Sequence, residues 1–326
     1  MIKIQLHPTD FAGFRFAYSP LMELVMSYRV WRDPQAHAYY TAWINQVEEA
    51  LRGEAFPYLD TVITYHYTAQ FMMPTPLGPM RSFEDELIRV QNTSEDVIRR
   101  EMQRLLMIQP PTPAHHHFLD DPCGALARLL GEMALYWERA LAPDWRDMVA
   151  VLENEILHQA RQFALKGAEE SLCQLGSNVT YADGLLLIDK ELPPFLPSEY
   201  CLKGDGLQLV PGVFQRKGVP DIRPDERSML RYPARGIGLM QADPPTPAEE
   251  SLRLLVGEGK ARVLMSLTLP RSTQELARHL NLSAGAISQH LRLMQQAGFV
   301  ESHRSGYYVF YRLSTRGERL LEVFNE

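Results

Sequence analysis

Cysteine is scarce in this chain: Cys123, Cys173 and Cys201 are the only three in 326 residues, and they lie far apart. They form no Cys-x-x-Cys pair. An odd count without an export signal points to reduced thiols in a cytoplasm, not to a disulfide framework. No apolar run approaches the roughly 20 residues that span a bilayer, so no membrane partner is expected. The first residues lack a basic start followed by an apolar core, so no secretory signal is expected. Phosphate-binding loops are missing too, because Gly204-Asp-Gly206 has no third glycine and no following helix. Neither a Gly-x-Ser-x-Gly elbow nor a convincing acid–base carboxylate pair occurs, so the chain is not expected to be an enzyme.

What is present is ordinary in bulk and uneven in distribution. An apolar fraction of 45% and a charged fraction of 22% suit a globular protein of about two domains. The net charge of −7 hides an asymmetry. Residues 249–326 hold ten Lys/Arg against eight Asp/Glu, leaving −9 on the rest, and between Arg271 and Arg319 seven arginines face three glutamates. A basic end on an acidic body fits local contact with phosphates.

The order of the chain gives an α+β reading, predominantly α. Ile2-Lys3-Ile4-Gln5-Leu6 alternates and predicts a short edge strand. Ser19-Pro20 reads as an N-cap with proline at the first helical position, followed by Leu21, Leu24, Val25 and Tyr28 at helical spacing. Further helices are expected over 33–52, 94–108, 124–140 and from Pro143 toward Leu175. Near Ser177 the pattern changes. Residues 179–188 read as a hairpin around Asp183-Gly184, and 207–210 and 229–232 as short strands among dense prolines. The expected organisation is a helical sensor or interaction domain over 1–176, with a small β-containing segment, 177–240, packed on it. A Pro-rich linker, 241–248, leads to a winged helix-turn-helix over 249–326.

That last module carries the clearest chemistry. Ser272-x-x-Glu275 is a capping box, and Leu276, Ala277 and Leu280 face inward. Asn281 suits the left-handed turn residue, and Ser283 can cap the next helix. Its buried stripe is Ile287, Leu291 and Met294, and Gly298 is a plausible terminator. At about 100° per residue, the opposite side carries Gly285, Ser288, Gln289, Arg292 and Gln296, short or hydrogen-bonding residues suited to base edges and phosphates. His290 points to the flank of the stripe, where packing competes with base contact. A hairpin turning at Ser305-Gly306 would pair Arg304 with Tyr307 and Ser302 with Val309, with Arg304 near the tip. The expected partner is double-stranded DNA. Its contact residues would be Ser288, Gln289, His290 and Arg292, with Ser283 and Gly285 at the helix start, Ser272, Thr273 and Gln274 near phosphates, and Arg304 and Tyr307 in the wing.

Leu276-Ala277, Ser288-Gln289-His290-Leu291 and Ala297-Gly298-Phe299-Val300 resemble the winged helix of the ArsR/SmtB family of bacterial repressors, over about 249–324. The resemblance implies a homodimer on an inverted repeat, with outer helices paired around the two-fold axis and an inducer that weakens DNA binding. The corresponding apolar residues are Leu252, Leu255, Val256, Leu320, Leu321 and Phe324, which would equally serve an internal core. The family's thiolate metal site needs a Cys-x-Cys element where 269–276 has no cysteine, and its carboxylate–histidine site needs a histidine that 317–326 lacks. Thiolates and imidazoles are what such metals require. No metal or cofactor is therefore expected, and a small-molecule effector or protein partner is left to the front of the chain.

That front resembles an uncharacterised module that precedes such winged helices, through 14–34, 207–214 and 232–236. Three features tempt a functional reading there. His115-His116-His117 follows a proline run and reads as an exposed loop; Glu84-Asp85-Glu86 reads as a solvated face. Tyr39, Tyr40, Trp43, Tyr65, Tyr67, Phe71, Met72, Met73, Trp137 and Trp145 could line an apolar pocket, though core is the simpler use. An alternative reading of the whole makes the winged helix a protein-contact module.

Overall fold

The computed structural model describes residues 1–76, 78, 82–202, 204–223, 226–235, 247–267, 271–280, 282–305 and 308–325. The chain divides into two compact units, Met1–Ile237 and Gly238–Glu326. Predominantly helical with small sheets, it is an α+β protein. Among the described residues no helix is long and apolar enough to cross a membrane.

The first unit opens with β1 (Ile2–Gln5), α1 (Pro8–Ala12), β2 (Arg15–Phe16) and α2 (Pro20–Arg32). Helices α3 (Thr41–Ala50), α4 (Pro57–Val62), α5 (Phe83–Gln91), α6 (Glu95–Leu106) and α7 (Pro113–Asp120) follow. Next come α8 (Pro122–Tyr136), α9 (Trp145–Lys166) and α10 (Ala168–Cys173). Six strands complete it: β3 (Val179–Ala182), β4 (Leu185–Ile188), β5 (Glu199–Cys201), β6 (Gln208–Gly212), β7 (Val219–Asp221) and β8 (Met229–Pro233).

Local chemistry sets the ends of many of these elements. The Ser19 hydroxyl accepts the Met22 amide at 3.1 Å and caps α2. Asp183 (φ 53°) and Gly184 (φ 80°) both take the positive φ that a tight hairpin turn between β3 and β4 requires. The long helix expected from Pro143 ends at Lys166, because Gly167 turns the backbone out at φ 82° before α10. The helix expected over 33–52 is likewise divided: Gln35–Tyr40 forms a tight 3₁₀ turn with non-helical backbone at His37, and α3 starts afresh.

The β residues of 177–240 are woven into the front of the chain, not laid on it. One sheet has the order β3-β4-β1-β5, the other β2-β6-β8-β7. β1 is therefore central, where an edge strand was expected: it runs antiparallel to β4 and parallel to β5. Parallel pairing of β2 with β6, and of β6 with β8, brings Phe16, Leu209 and Leu230 into register. Leu209, Leu230 and Tyr232 share one core with Ile2, Ile4, Leu186 and Ile188.

Three residues or clusters with other sequence expectations lie inside. His115 is buried on α7, with its imidazole bonded to the Thr112 hydroxyl at 2.9 Å and the Gln109 amide at 2.9 Å. The loop reading of the histidine run fails because Thr112 and Pro113 start a helix there. Glu86 is also buried, accepting the Ser19 hydroxyl at 2.6 Å and the Leu21 amide at 3.1 Å, so its acidic run is not wholly solvated. Of the aromatic and Met set, Tyr40, Trp43, Tyr67, Phe71, Met72 and Met73 are core, whereas Tyr65 is exposed.

Glu23, wholly buried on α2, accepts the amides of Val213 at 2.7 Å and Phe214 at 3.3 Å, just past β6. Burial pushes its carboxyl from 4.5 up to about 7, against those two bonds, which favour the ionised form. The folded chain then holds a proton that the unfolded chain has released. The stabilisation from this group is full below pH 4.5 and is lost as pH rises through about 7. Glu23→Gln removes that titration. The difference in stability between wild type and Glu23→Gln should therefore shift against wild type by up to about 3 kcal/mol between pH 4.5 and 8. All four tryptophans lie in the first unit, so urea unfolding followed by tryptophan fluorescence reads this change.

Candidate nucleic-acid interface

The second unit contains α11 (Pro247–Val256), α12 (Glu258–Ser266), β9 (Arg271–Ser272) and α13 (Thr273–Leu280). It continues with α14 (Ala284–Gln296), β10 (Val300–Ser305), β11 (Tyr308–Leu313) and α15 (Thr315–Asn325). The expected linker falls partly outside the described residues, 241–246, and its last two, Pro247 and Ala248, begin α11.

The start of α13 follows from the capping box. The Ser272 amide donates to the Glu275 carboxylate at 2.6 Å and the Glu275 amide to the Ser272 hydroxyl at 3.3 Å. Ser272 also pairs with Phe310 as part of β9, so it is held half-buried at the junction of sheet and helix. Thr273 is half-buried and Gln274 exposed; Asn281 lies outside the described residues. Ser283 caps α14, its hydroxyl accepting the Ala286 amide at 3.2 Å. At the other end Gly298, at φ 76°, lets the Phe299 amide reach back to the Met294 carbonyl at 2.9 Å.

Between these ends α14 has two faces. Ile287, Leu291 and Met294 are buried with Val263, Leu264, Leu276 and Leu280. Gly285, Ser288, Gln289, Arg292 and Gln296 are exposed. The side chains of Ser288, Gln289 and Arg292 make no hydrogen bond or ion pair among the described residues. Other cations of the unit are engaged: Arg312 with Glu301 at 3.1 Å, Arg253 with Glu258 at 3.4 Å, and Arg262 with the Leu280 carbonyl at 3.0 Å. His290 stands apart from the exposed set. Its ring lies against Gly259 of α12, where an added Cβ would come within 2.6 Å of Nε2, and its Nδ1 is sequestered from solvent. Packing takes this histidine away from the polar face.

The hairpin β10–β11 has a register two residues from the expected one. Ser305 pairs with Tyr308, Arg304 with Val309 and Ser302 with Tyr311. A shift of two keeps every side chain on its face, so the alternation of apolar and polar residues was satisfied by both registers. Tyr307 lies outside the described residues, and Arg304 is placed by its backbone alone.

The residues proposed for dimerisation divide between core and surface. Leu252 is buried, and Val256, Leu320 and Leu321 pack against the core of the unit. Leu255 is 66% exposed. Two residues not singled out in the sequence join it: Leu254 is 83% exposed and Val323 69% exposed, on the helices α11 and α15 that pack against each other. The signal that could have found them is the helical offset: at about 100° per residue Leu254 lies nearly opposite Leu252 on α11, and Val323 lies to the side of Leu320 on α15. Phe324 sits on α15, and nothing further of its position is described.

Capped helix, turn, second helix and two-stranded hairpin, with a third short strand closing the sheet in the order β10-β11-β9, define a winged helix-turn-helix. Residues 258–302 match the family described as "Bacterial regulatory protein, arsR family". This stretch is an ArsR-family helix-turn-helix domain at the C-terminal end of the chain. The chain is similar to the transcriptional repressor SdpR of Bacillus subtilis, 39% identical over 41 residues, which are 13% of this chain and 46% of that protein. It is similar also to the HTH-type transcriptional regulator KmtR of Mycobacterium tuberculosis, 35% identical over 75 residues, 23% of this chain and 58% of that one. The chain thus spans about half the length of the curated relatives it matches. A solved structure, reduced HlyU from Vibrio cholerae N16961, aligns at 32% identity over 24% of this chain and 86% of its own, with a TM-score of 0.21.

Gly317 fixes α15 to the wing. A Cβ there would lie 2.2 Å from the Phe299 carbonyl oxygen and 3.2 Å from Leu313. Gly317→Ala should force the helix off the hairpin and destabilise this unit by about 1–3 kcal/mol. Differential scanning calorimetry of the full chain would detect the loss as a lower transition temperature for the unit that lacks tryptophan, leaving the fluorescence transition of the first unit in place.

Proposed function

We propose that this chain is a DNA-binding transcriptional regulator, a repressor that binds an inverted-repeat operator as a homodimer and answers a non-metal signal received by its first unit. The observation that carries the reading is the face of α14 that holds Ser288, Gln289 and Arg292. It is exposed and unpaired among the described residues, backed by a buried stripe and flanked by a hairpin. In the major groove such a helix offers a hydroxyl, an amide and a guanidinium to base edges and phosphates. Ser283, Gly285, Thr273 and Gln274 lie at the starts of the two helices, where amides and helix dipoles favour phosphate. Wing residues Arg304 and Tyr307 complete the proposed contacts.

The apolar trio Leu254, Leu255 and Val323 supports the dimer, because exposed leucine and valine side chains gathered on two packed helices favour a partner surface. In a two-fold dimer the half-sites would lie about 34–36 Å apart, one turn of DNA. In this reading the winged-helix unit binds DNA and dimerises, and residues 1–176, with the β-containing 177–240, receive the signal.

Arg292→Ala should weaken binding to all DNA sequences and lower the slope of log affinity against log salt by about 0.9. Gln289→Ala should relax base preference, by about 1–3 kcal/mol at one position of each half-site. Fluorescence-anisotropy titrations at several salt concentrations, on operator fragments selected by the chain itself from genomic DNA, test both; undiminished affinity in Arg292→Ala would remove the assigned face. Leu255→Glu should give a monomer by analytical ultracentrifugation and lose the preference for paired over single half-sites. A dimer that persists with Leu255→Glu would place the two-fold elsewhere.

A further inference from the structure

Arginines and lysines taken out of water need an anion beside them, because desolvating an uncompensated cation costs several kcal/mol. The first unit mostly obeys this rule. Arg223 is held by Asp221 at 2.6 Å and Glu226 at 3.4 Å, and Arg104 by Glu101 at 2.7 Å. One group of cations does not.

Arg231, on the central part of β8, is only 7% exposed. Its Nη1 faces the thioethers of Met73 at 3.3 Å and Met26 at 3.7 Å, and its Nε has no hydrogen-bond partner among the described residues. Thioether sulfur is a weak acceptor and cannot balance a guanidinium. The nearest carboxylate to influence it, Asp221, already binds Arg223 through both oxygens, at 3.0 and 2.6 Å.

Two more cations converge on this place. Arg29 stands one helical turn beyond Met26 on α2, and its guanidinium donates only to the Tyr65 carbonyl among the described residues. Lys190, just past β4, makes no hydrogen bond or ion pair among them. Burial, then the charge of Arg231, lowers the Arg29 guanidinium to about 10. Burial, then the charges of Arg29, Arg231 and Lys217, lowers the Lys190 ammonium to about 8. Backbone geometry brings the three segments together. Met26, one turn before Arg29, touches the Arg231 guanidinium. The Asn178 side-chain amide donates both to the Asp189 carbonyl at 3.2 Å, next to Lys190, and to the Gly218 carbonyl at 2.9 Å, next to Val219, which pairs with Arg231. No described carboxylate is bonded to any of the three. The arrangement is that of an anion receptor with apolar, polarizable walls.

We propose that Arg29, Lys190 and Arg231 form a binding site for a small organic anion, its carboxylate or phosphoryl group set among the three cations and its apolar part against Met26 and Met73. The bidentate fork of Arg231, buried and short of acceptors, would be the anchor. Lys190, half-buried, would close the site from its more accessible side. Such a site supplies the chemistry of the signal proposed above. Its regulatory meaning rests on that reading; anion binding itself does not.

The test uses the full chain, with inorganic phosphate and benzoate as separate probes against chloride at matched ionic strength. Expected is a saturable rise in the transition temperature read by tryptophan fluorescence, with at least one of the two probes, and saturable heat in titration calorimetry. Phosphate alone would identify a phosphoryl ligand and benzoate alone a carboxylate. Arg231→Met, which fills the space with a third thioether, should weaken binding roughly tenfold or more while folding at least as well without anion. Should that variant not fold, Lys190→Gln at the half-buried edge gives the same comparison. A further readout needs no variant: acetic anhydride at pH 8 should modify Lys190 early, and the bound anion should protect it. No stabilisation beyond chloride by either probe, or equal binding in both variants, overturns the site. Whether the probe also changes DNA affinity is measured separately, so failure of the regulatory reading would leave an observed anion site intact, and the reverse.

Discussion

The carboxylate of Glu23 is the tie on which the first unit is assembled. It lies on the second helix of the chain yet accepts two amides from residues some 190 positions later. Without it those amides would be buried and unsatisfied, at about 1–3 kcal/mol each. The same device recurs. Glu86 receives the Leu21 amide, Glu101 the Gln70 amide, and Glu132 the amides of Tyr58 and Leu59. Each carboxylate is held by backbone donors that have no ladder of their own. Such ties let short helices and three-residue strands join into one unit where extended sheets are lacking.

Burial of cations follows another logic. Buried Arg223 is balanced by Asp221 and Glu226, whereas buried Arg231 meets sulfur. The parallel pairing of β2, β6 and β8 brings α2 and β8 together, and Asn178, bonded to the Asp189 and Gly218 carbonyls, ties the stretch after β4 to the start of β7 beside them. The separation of these segments in sequence disguises a single neighbourhood.

The second unit depends on the contrast between the two sides of α14. Because Ile287, Leu291 and Met294 are fixed in the core, Ser288, Gln289 and Arg292 are fixed outside it. His290 marks the edge of that division. Helical angle alone left it between two uses, and its packing on Gly259 decides for the interior. Likewise Leu252 and Leu255 share a helix and an apolar character, but only the latter is exposed.

Features that neighbours within a few residues control were legible in the sequence: the Ser19 and Ser283 caps, the Ser272–Glu275 box, the Asp183-Gly184 turn, the buried stripe of α14 and its polar reverse. These depend on hydrogen bonds and angles set over three or four positions. The central place of β1, the wing register, the burial of Glu86 and His115, and the surroundings of Arg231 came instead from contacts between distant segments. A register shifted by two leaves the apolar pattern unchanged, and a charged residue reads as surface until a distant segment covers it. Pattern reports which side of an element is apolar; what comes to lie on the other side is set by contacts across the whole chain.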